Sequence, residues 1–276
     1  MILNLKGGLG NQLFQLAAAL TLNKSKKTYL YTGNLKKFAV PREFCLKPFI
    51  YSYHDEIFIV DNKWYINKYL LHVLAKINLF VKNDNNNPSR ILILDGYFQK
   101  KEFFSRQVCE KLGRSMVDYF SVEDVKSNFL EKVSFLTTTA ERESGQISKD
   151  YVGMHIRGTD RKDELNNKKF LESIENFVNK EKKMVCFTDD VEYAKMMLKQ
   201  FSLQVLFVNE FNLTDIEEFY LISLFHEFFL GNSTFSICAR KLSVGSTINY
   251  VFTEQFKERD KDLLSIMFDG QQTIGI

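Results

Sequence analysis

The chain has 276 residues, enough for one large or two small domains around a substantial core. With 45% hydrophobic residues, 26% charged residues and a net charge of +3, it reads as a soluble globular protein, and the charge is too small to argue for nucleic acid. Cys45, Cys109, Cys186 and Cys238 lack CxxC or His-rich spacing, so neither a zinc site nor a disulfide framework is expected and the thiols read as reduced.

In chain order, Ile2-Leu3-Asn4-Leu5 reads as a buried strand, without the basic stretch and long apolar core of a secretory signal. The turn Lys6-Gly7-Gly8-Leu9-Gly10-Asn11-Gln12 follows. Leu13, Phe14, Ala17 and Leu20 then repeat at helical spacing, and the basic run from Lys24 to Lys27 should end that helix. Thr28 to Tyr31 is the next strand. Residues 35 to 90 show helical patterns around Trp64 to Phe80 and a polar loop before Pro88. The apolar run Val60 to Val81 is broken by Asp61, Lys63, Lys68 and Lys76, so it should not span a bilayer; a cytoplasmic protein with at most peripheral membrane contact is expected. Arg90 to Asp95 is a buried strand. Ser121-Val122-Glu123-Asp124 resembles a capping box for a helix through Phe135.

Residues 137 to 149 are polar with no apolar period and read as the linker between domains. A second series follows: a strand at Tyr151 to Ile156, a helix at Phe170 to Val178, and a strand at Met184 to Thr188, after which Asp189 or Asp190 can cap a helix. Val205 to Val208 is another strand. Thr214-Asp215-Ile216-Glu217 is a capping box for a helix through His226, and Phe228 to Gly231 is a short strand running into Asn232-Ser233-Thr234. Strands alternating with helices on both sides of the linker predict two parallel-sheet α/β halves. Ligands of such sheets bind beyond the carboxyl ends of the strands.

Four stretches fall at such ends. The first is the glycine turn. A dinucleotide fingerprint would have a third glycine where Leu13 stands and an acid after Tyr31, and both are missing, so NAD is disfavoured. A plain tight turn remains one reading. A helix N-terminus with the amides of Asn11 and Gln12, suited to an anion or hydroxyl, is the other. Second, the strand ending in His155-Ile156-Arg157 delivers His155 and Arg157 to one face. Arg157 can grip a phosphate with two hydrogen bonds and hold charge as it develops, while Asp160 can orient Arg157 or His155. Third, Asn232, Ser233, Thr234, Phe235 and Ser236 form either a phosphate cradle or an ordinary N-cap. Fourth, Asp189 and Asp190 either cap a helix or contact a nucleoside. No Asp-x-Asp spacing suggests a metal.

These stretches, in the order KGGLGNQLFQ, DGYFQ (from Asp95), HIRGTD, FTDD and NSTFS, resemble the bacterial α-1,2-fucosyltransferases of glycosyltransferase family 11. The resemblance runs from residue 1 to about 240. It implies an α/β, GT-B-like fold of two facing Rossmann-type domains, an acceptor-side domain at 1–140 and a GDP-sugar-binding domain at 150–276, with room for the last helix to pack back on the first. It also implies inverting transfer of fucose from GDP-fucose to a sugar hydroxyl, often the 2-hydroxyl of a galactoside, with no metal or other cofactor. Arg157 matches the first arginine of the family's His-x-Arg-Arg-x-Asp motif, the one expected on the β-phosphate, and His155 and Asp160 match its ends. Asn232 to Ser236 match its third donor motif, and Gly8, Gly10, Asn11 and Gln12 would line the donor side of the cleft. Tyr97 and Gln99 suit an acceptor sugar, or are a core ring and a loop amide. Two positions depart from the family: Gly158 replaces the second arginine, and Ile237-Cys238 replace two tryptophans. A transferase of the same fold using another nucleotide sugar and a non-catalytic glycan-binding protein are the alternatives. The expected partner is an oligosaccharide or lipid-linked glycan.

Overall fold

The computed structural model describes residues 1–23, 27–37, 41–60, 80–82, 93–137, 147–158, 164–178, 181–245, 247–257, 260–269 and 272–276. The chain divides into two units, Met1–Phe120 and Ser121–Ile276. The polar stretch at 137–149 falls inside the second unit, and residues 138–146 of it lie outside the described residues.

The first unit is built on a parallel sheet of β1 (Ile2–Asn4), β2 (Thr28–Tyr31), β3 (Ile57–Val60), β4 (Phe80–Lys82) and β5 (Ile93–Asp95), in the spatial order β3-β2-β1-β5-β4. Helix α1 (Leu9–Leu22) is apolar nearly all round, and Leu13, Phe14, Leu16 and Ala17 to Ala19 are buried to completion. A helix of that pattern is a core element rather than a surface one. Phe14 meets Phe104 at 4.5 Å between ring centroids. Helix α2 (Arg106–Phe120) is amphipathic instead and buries Cys109, Leu112, Met116 and Phe120. Ser115 on it pins the 3-10 segment Lys47–Tyr53 by accepting from Ser52 N–H (3.1 Å) and donating to Pro48 O (3.0 Å).

The second unit has a six-stranded parallel sheet: β6 (Tyr151–Ile156), β7 (Lys183–Thr188), β8 (Val205–Phe207), β9 (Glu227–Leu230), β10 (Ile248–Val251) and β11 (Gln272–Gly275). The order β11-β10-β9-β6-β7-β8 is the 3-2-1-4-5-6 arrangement of a doubly wound Rossmann sheet. Around it lie α3 (Glu123–Lys132), α4 (Glu164–Phe177), α5 (Val191–Leu198), α6 (Asp215–Leu224), α7 (Thr234–Lys241) and α8 (Lys261–Met267). Val152, Met154 and Ile156 of β6 pack with Phe170 and Ile174 of α4, Met184 and Cys186 of β7, and Ala194 and Met197 of α5. Helix α8 packs on α7, within this unit.

Several sequence-based boundaries move. Helix α3 begins one residue later than the Ser121 box implies, because Lys126 N–H donates to Val122 O, and no side chain caps it. It ends at Lys132, and Ser134–Leu136 forms a 3-10 turn. Helix α6 stops at Leu224 rather than His226, since Phe225 turns extended to seat its ring against Phe187 (5.9 Å) and Phe228 (6.0 Å). Phe80 lies on β4 instead of ending a helix, and the remainder of the predicted 64–80 helix lies outside the described residues.

The Thr214 capping box forms as read: Thr214 Oγ1 accepts from Glu217 N–H (3.3 Å) and Glu217 Oε2 accepts from Thr214 N–H (2.8 Å). Burial alone would raise the Glu217 carboxyl, but hydrogen bonds from Lys132 and Thr214 overcome it and hold the pKa below the usual range. The same Lys132–Glu217 pair, 2.8 Å, ties α3 to α6. Thr214→Ala is expected to cost roughly 1 kcal/mol, as other N-cap deletions do. Urea unfolding should register it as a lower midpoint with unchanged slope.

Candidate functional site

In the second sheet the connections leave the first strand on one side and later return on the other, so a crevice opens where the order reverses. That reversal lies between β6 and β9; in the first sheet β1→β2→β3 and β4→β5 step in the same direction, so the order does not reverse at the β1–β5 junction. All the predicted site residues that are described lie at the carboxyl ends of strands, in the turns that follow them, or in the first turns of the helices after those.

In the second unit β6 ends in His155 and Ile156 and is followed by Arg157, and β9 runs into Gly231, Asn232 and Ser233. His155 Nδ1 and Ser236 Oγ share a hydrogen bond at 3.1 Å, and Ser236 Oγ also donates to Ser233 O at 3.4 Å. Strand β6 is thereby fastened to the first turn of α7. Burial pushes the His155 pKa from 6.5 down to about 4, with Asp189 opposing the shift and Arg157 adding to it. The imidazole is therefore neutral at pH 7, a strut rather than a cation.

Helix α7 is anchored from its far end by Arg240, which is completely buried. Its Nη1 donates to Ile222 O (2.9 Å) and Phe225 O (2.6 Å), closing the end of α6, and its Nε donates to Asn249 Oδ1 (2.7 Å) on β10. Burial lowers this guanidinium to about 9, so it stays charged at neutral pH.

Several predicted contacts hold the scaffold. Asp190 caps α5 by accepting from Tyr193 N–H at 3.0 Å. Asn232 donates to Gln255 O (3.3 Å) and Asp260 Oδ2 (2.8 Å), and its own N–H reaches Gln255 Oε1 (3.2 Å). Gln255 continues to Asn167 (3.1 Å) and Asn167 to the Tyr193 hydroxyl (2.9 Å). Asp189 Oδ1 accepts from Gly158 N–H at 2.6 Å. Ser233, the N-cap residue of α7, makes no side-chain cap, so its hydroxyl is not committed to the helix. Thr234 and Phe235 are half-buried and Ser236 is buried. Asp160 lies outside the described residues.

In the first unit the glycine turn has Gly7 at φ +74, the left-handed region a side chain disfavours. Gln12 is fully buried and points inward, donating to Gly7 O (3.0 Å) and Glu43 O (2.8 Å) and accepting from Cys45 N–H (3.2 Å). Gln15 braces the same turn through Lys6 N–H (3.0 Å) and Lys6 O (2.8 Å). Gly8 has open space where a Cβ would stand, and Gly10 is buried in α1. Asn11 Oδ1 accepts from Gln99 Nε2 at 2.7 Å, joining the glycine turn to the segment after β5, where Tyr97 is exposed.

Cavities of about 230 Å³ lie at the opposite, amino-terminal edges of the two sheets. One is lined by Lys149, His226 and Thr247 among others, and the other by Thr28, Glu56 and Ile57. Neither includes a predicted site residue. Among the described residues no three His, Cys, Asp or Glu side chains are grouped to hold a metal, and no helix is long and apolar enough to cross a membrane.

A family profile described as Glycosyl transferase family 11 matches residues 1–265. The chain belongs to glycosyltransferase family 11. Among solved structures, the fucosyltransferase NodZ from Bradyrhizobium is similar at 12% identity and TM-score 0.50, over 87% of this chain and 92% of that one. NodZ α-1,6-fucosyltransferase co-crystallized with GDP matches at the same identity and score over 87% and 91%, and the form soaked with GDP-fucose over 87% and 92%. At this identity the likeness speaks for the fold. No curated protein sequence matches the chain.

For this family 11 glycosyltransferase two consequences follow at the switch point of the second unit. A Cβ on Gly158 would stand 2.5 Å from Asp190 Cβ and 3.1 Å from the Tyr193 ring. Gly158→Ala is therefore expected to destabilise by roughly 1–3 kcal/mol, the usual cost of overpacking, read as a shift in urea midpoint. Because the folded pKa of His155 lies below its unfolded value, its contribution to stability is full above about pH 6.5 and is lost as pH falls toward 4. The stability advantage of the native chain over His155→Asn should shrink across that window. A constant difference would mean that His155 is not desolvated.

Proposed function

We propose that this glycosyltransferase moves L-fucose from GDP-fucose to the 2-hydroxyl of a galactoside, inverting the anomeric centre without a metal ion. The acceptor is an oligosaccharide or lipid-linked glycan of surface-polysaccharide synthesis, met in the cytoplasm. The observation that supports this reading is that the strand leading to Arg157 and the strand leading to the Ser233–Ser236 turn are neighbours at the switch point, fastened together by the His155–Ser236 hydrogen bond. The fold shared with a fucosyltransferase crystallised with GDP and soaked with GDP-fucose supports a donor of that kind.

In this reading the diphosphate lies across the turn. The bond between the anomeric carbon and the phosphate oxygen breaks, and its electron pair stays on the β-phosphate. Arg157 meets the growing charge with paired N–H donors. The Ser233 and Thr234 hydroxyls and the first N–H groups of α7 add fixed dipoles that need no reorganisation when the charge appears. The acceptor hydroxyl attacks the opposite face of the sugar and passes its proton to a carboxylate of the stretch from Asp160 to Glu164. His155, with a pKa near 4, keeps the turn in place instead of taking that proton.

Removing one preorganised donor of this kind costs on the order of 10²–10³ in kcat. Arg157→Ala should show that loss with GDP-fucose and a galactoside panel, product being read by mass spectrometry. Arg157→Lys should recover little, because an ammonium cannot reproduce the paired geometry. Near-native turnover by Arg157→Ala would overturn the assignment, and displacement of the bound donor by UDP or dTDP as readily as by GDP would overturn the choice of nucleotide.

A further inference from the structure

The cavity of about 230 Å³ at the amino-terminal edge of the second sheet has a chemistry of its own. It lies where β9 begins and α7 ends. Those two elements make the Gly231–Ser236 turn at their other ends, so the cavity and that turn stand at opposite ends of one strand–helix pair. Pockets for drug-sized ligands measure roughly 300–1,000 Å³, so this smaller space suits a single small metabolite rather than a nucleotide sugar.

The polar side chains around it favour an anion. Lys149, His226 and Thr247 line it, and among the described residues of the lining there is no Asp or Glu. Glu227, next to His226, is committed to Lys182 and to the Tyr250 hydroxyl at 3.5 Å. The last carbonyls of α6 would oppose an anion, but they are spent. Arg240 takes Ile222 O and Phe225 O, and Ser243 Oγ donates to Ser223 O at 2.5 Å. The buried guanidinium thus answers the negative end of α6 from inside the fold, and the last turn of α7 carries Arg240 and Lys241.

Thr247 adds an independent sign. It is 8% exposed, and its buried Oγ1 has no hydrogen-bond partner among the described residues. Buried hydroxyls are normally satisfied, and one left over calls for an explanation. Lys149, His226 and Thr247 precede β6, β9 and β10, which are neighbours in the sheet. Neighbouring strands stand about 4.8 Å apart, so groups at three adjacent strand starts are within reach of one small anion. Three donors match the three terminal oxygens of a phosphate monoester better than the two of a carboxylate. Beside them the wall is apolar at Leu224 and Val244, and Gly245 takes φ +135 with open space where a Cβ would stand.

We infer that this cavity binds a small organic phosphate, of about the size of a hexose monophosphate, at a site separate from the donor turn. Lys149 and His226 hold the phosphate, the Thr247 hydroxyl donates to one of its oxygens, and Leu224 and Val244 cover the C–H surface of the remainder. The site does not depend on the proposed function.

Isothermal titration calorimetry on the full chain tests this with glucose 6-phosphate, glucose, glucuronate and inorganic phosphate. Glucose 6-phosphate should bind, and the other three should bind at least tenfold more weakly. Lys149→Ala should weaken glucose 6-phosphate at least tenfold and Thr247→Val at least threefold, with GDP affinity unchanged. Arg157→Ala should leave glucose 6-phosphate binding unaltered. Lys149 is exposed, so its variant tests the site even if Thr247→Val disturbs packing. Absence of glucose 6-phosphate binding, or binding kept in Lys149→Ala and lost in Arg157→Ala, would overturn the inference. Glucuronate or inorganic phosphate binding as tightly as glucose 6-phosphate would overturn the choice of an organic phosphate. Failure of GDP to bind, titrated separately, would count against the proposed function alone.

Discussion

The candidate site of this chain depends on a topological constraint: the all-parallel sheet of the second unit reverses its strand order once, between β6 and β9. Helices leaving neighbouring strands at that point depart to opposite faces, so the backbone opens a crevice instead of covering the strand ends. Whatever polar groups end those two strands face each other there. In the second unit they are the Arg157 turn and the Ser233 turn, a guanidinium on one side and hydroxyls and helix-end N–H groups on the other.

A side chain committed to the scaffold is not available to a ligand, and hydrogen-bond accounting separates the two uses. Gln12 and Asn232 read as ligand amides in a one-dimensional string, yet their donors are spent on backbone carbonyls and Asp260. They are buried or half-buried, where an unsatisfied amide would be costly, so their direction is set by satisfaction rather than by function. The burial that neutralises His155 acts in the same way. It converts a candidate acid or base into a link between strand β6 and the first turn of α7.

What the sequence revealed, and what it concealed, follows from how local each signal is. The strands Thr28–Tyr31, Tyr151–Ile156 and the run up to Thr188 were legible because burial on both faces writes continuous apolar runs. The edge strand Gln272–Gly275 carries no such run, and Ile248–Val251 is interrupted by Asn249, a partner of Arg240. Helix α2 is written in the sequence only by the three- and four-residue steps of Cys109, Leu112, Met116 and Phe120. The motif ends were legible as strand ends. Their partners were not, because Glu43, Cys45, Gln255 and Asp260 stand between 23 and 33 residues from the groups they hold.

Gly158 shows how one packing event reshapes an electrostatic site. The resemblance puts a second arginine there, but in this chain the Gly158 N–H is held by Asp189 and the space of a side chain is filled by Asp190 and Tyr193. Asp190 cannot withdraw without uncapping α5, and Tyr193 cannot withdraw without releasing Asn167 and, through it, Gln255 and the Ser233 turn. The missing guanidinium and the close approach of α5 are therefore two sides of the same arrangement. In the proposed donor site strand β6 delivers Arg157 as its guanidinium, and the rest of the stabilisation of an anionic ligand comes from the fixed N–H groups and hydroxyls at the start of α7. A site built in this way relies on alignment more than on total positive charge. That is why its supporting hydrogen bonds, from Arg240 at one end of α7 to His155 at the other, are as much a part of the machinery as the arginine itself.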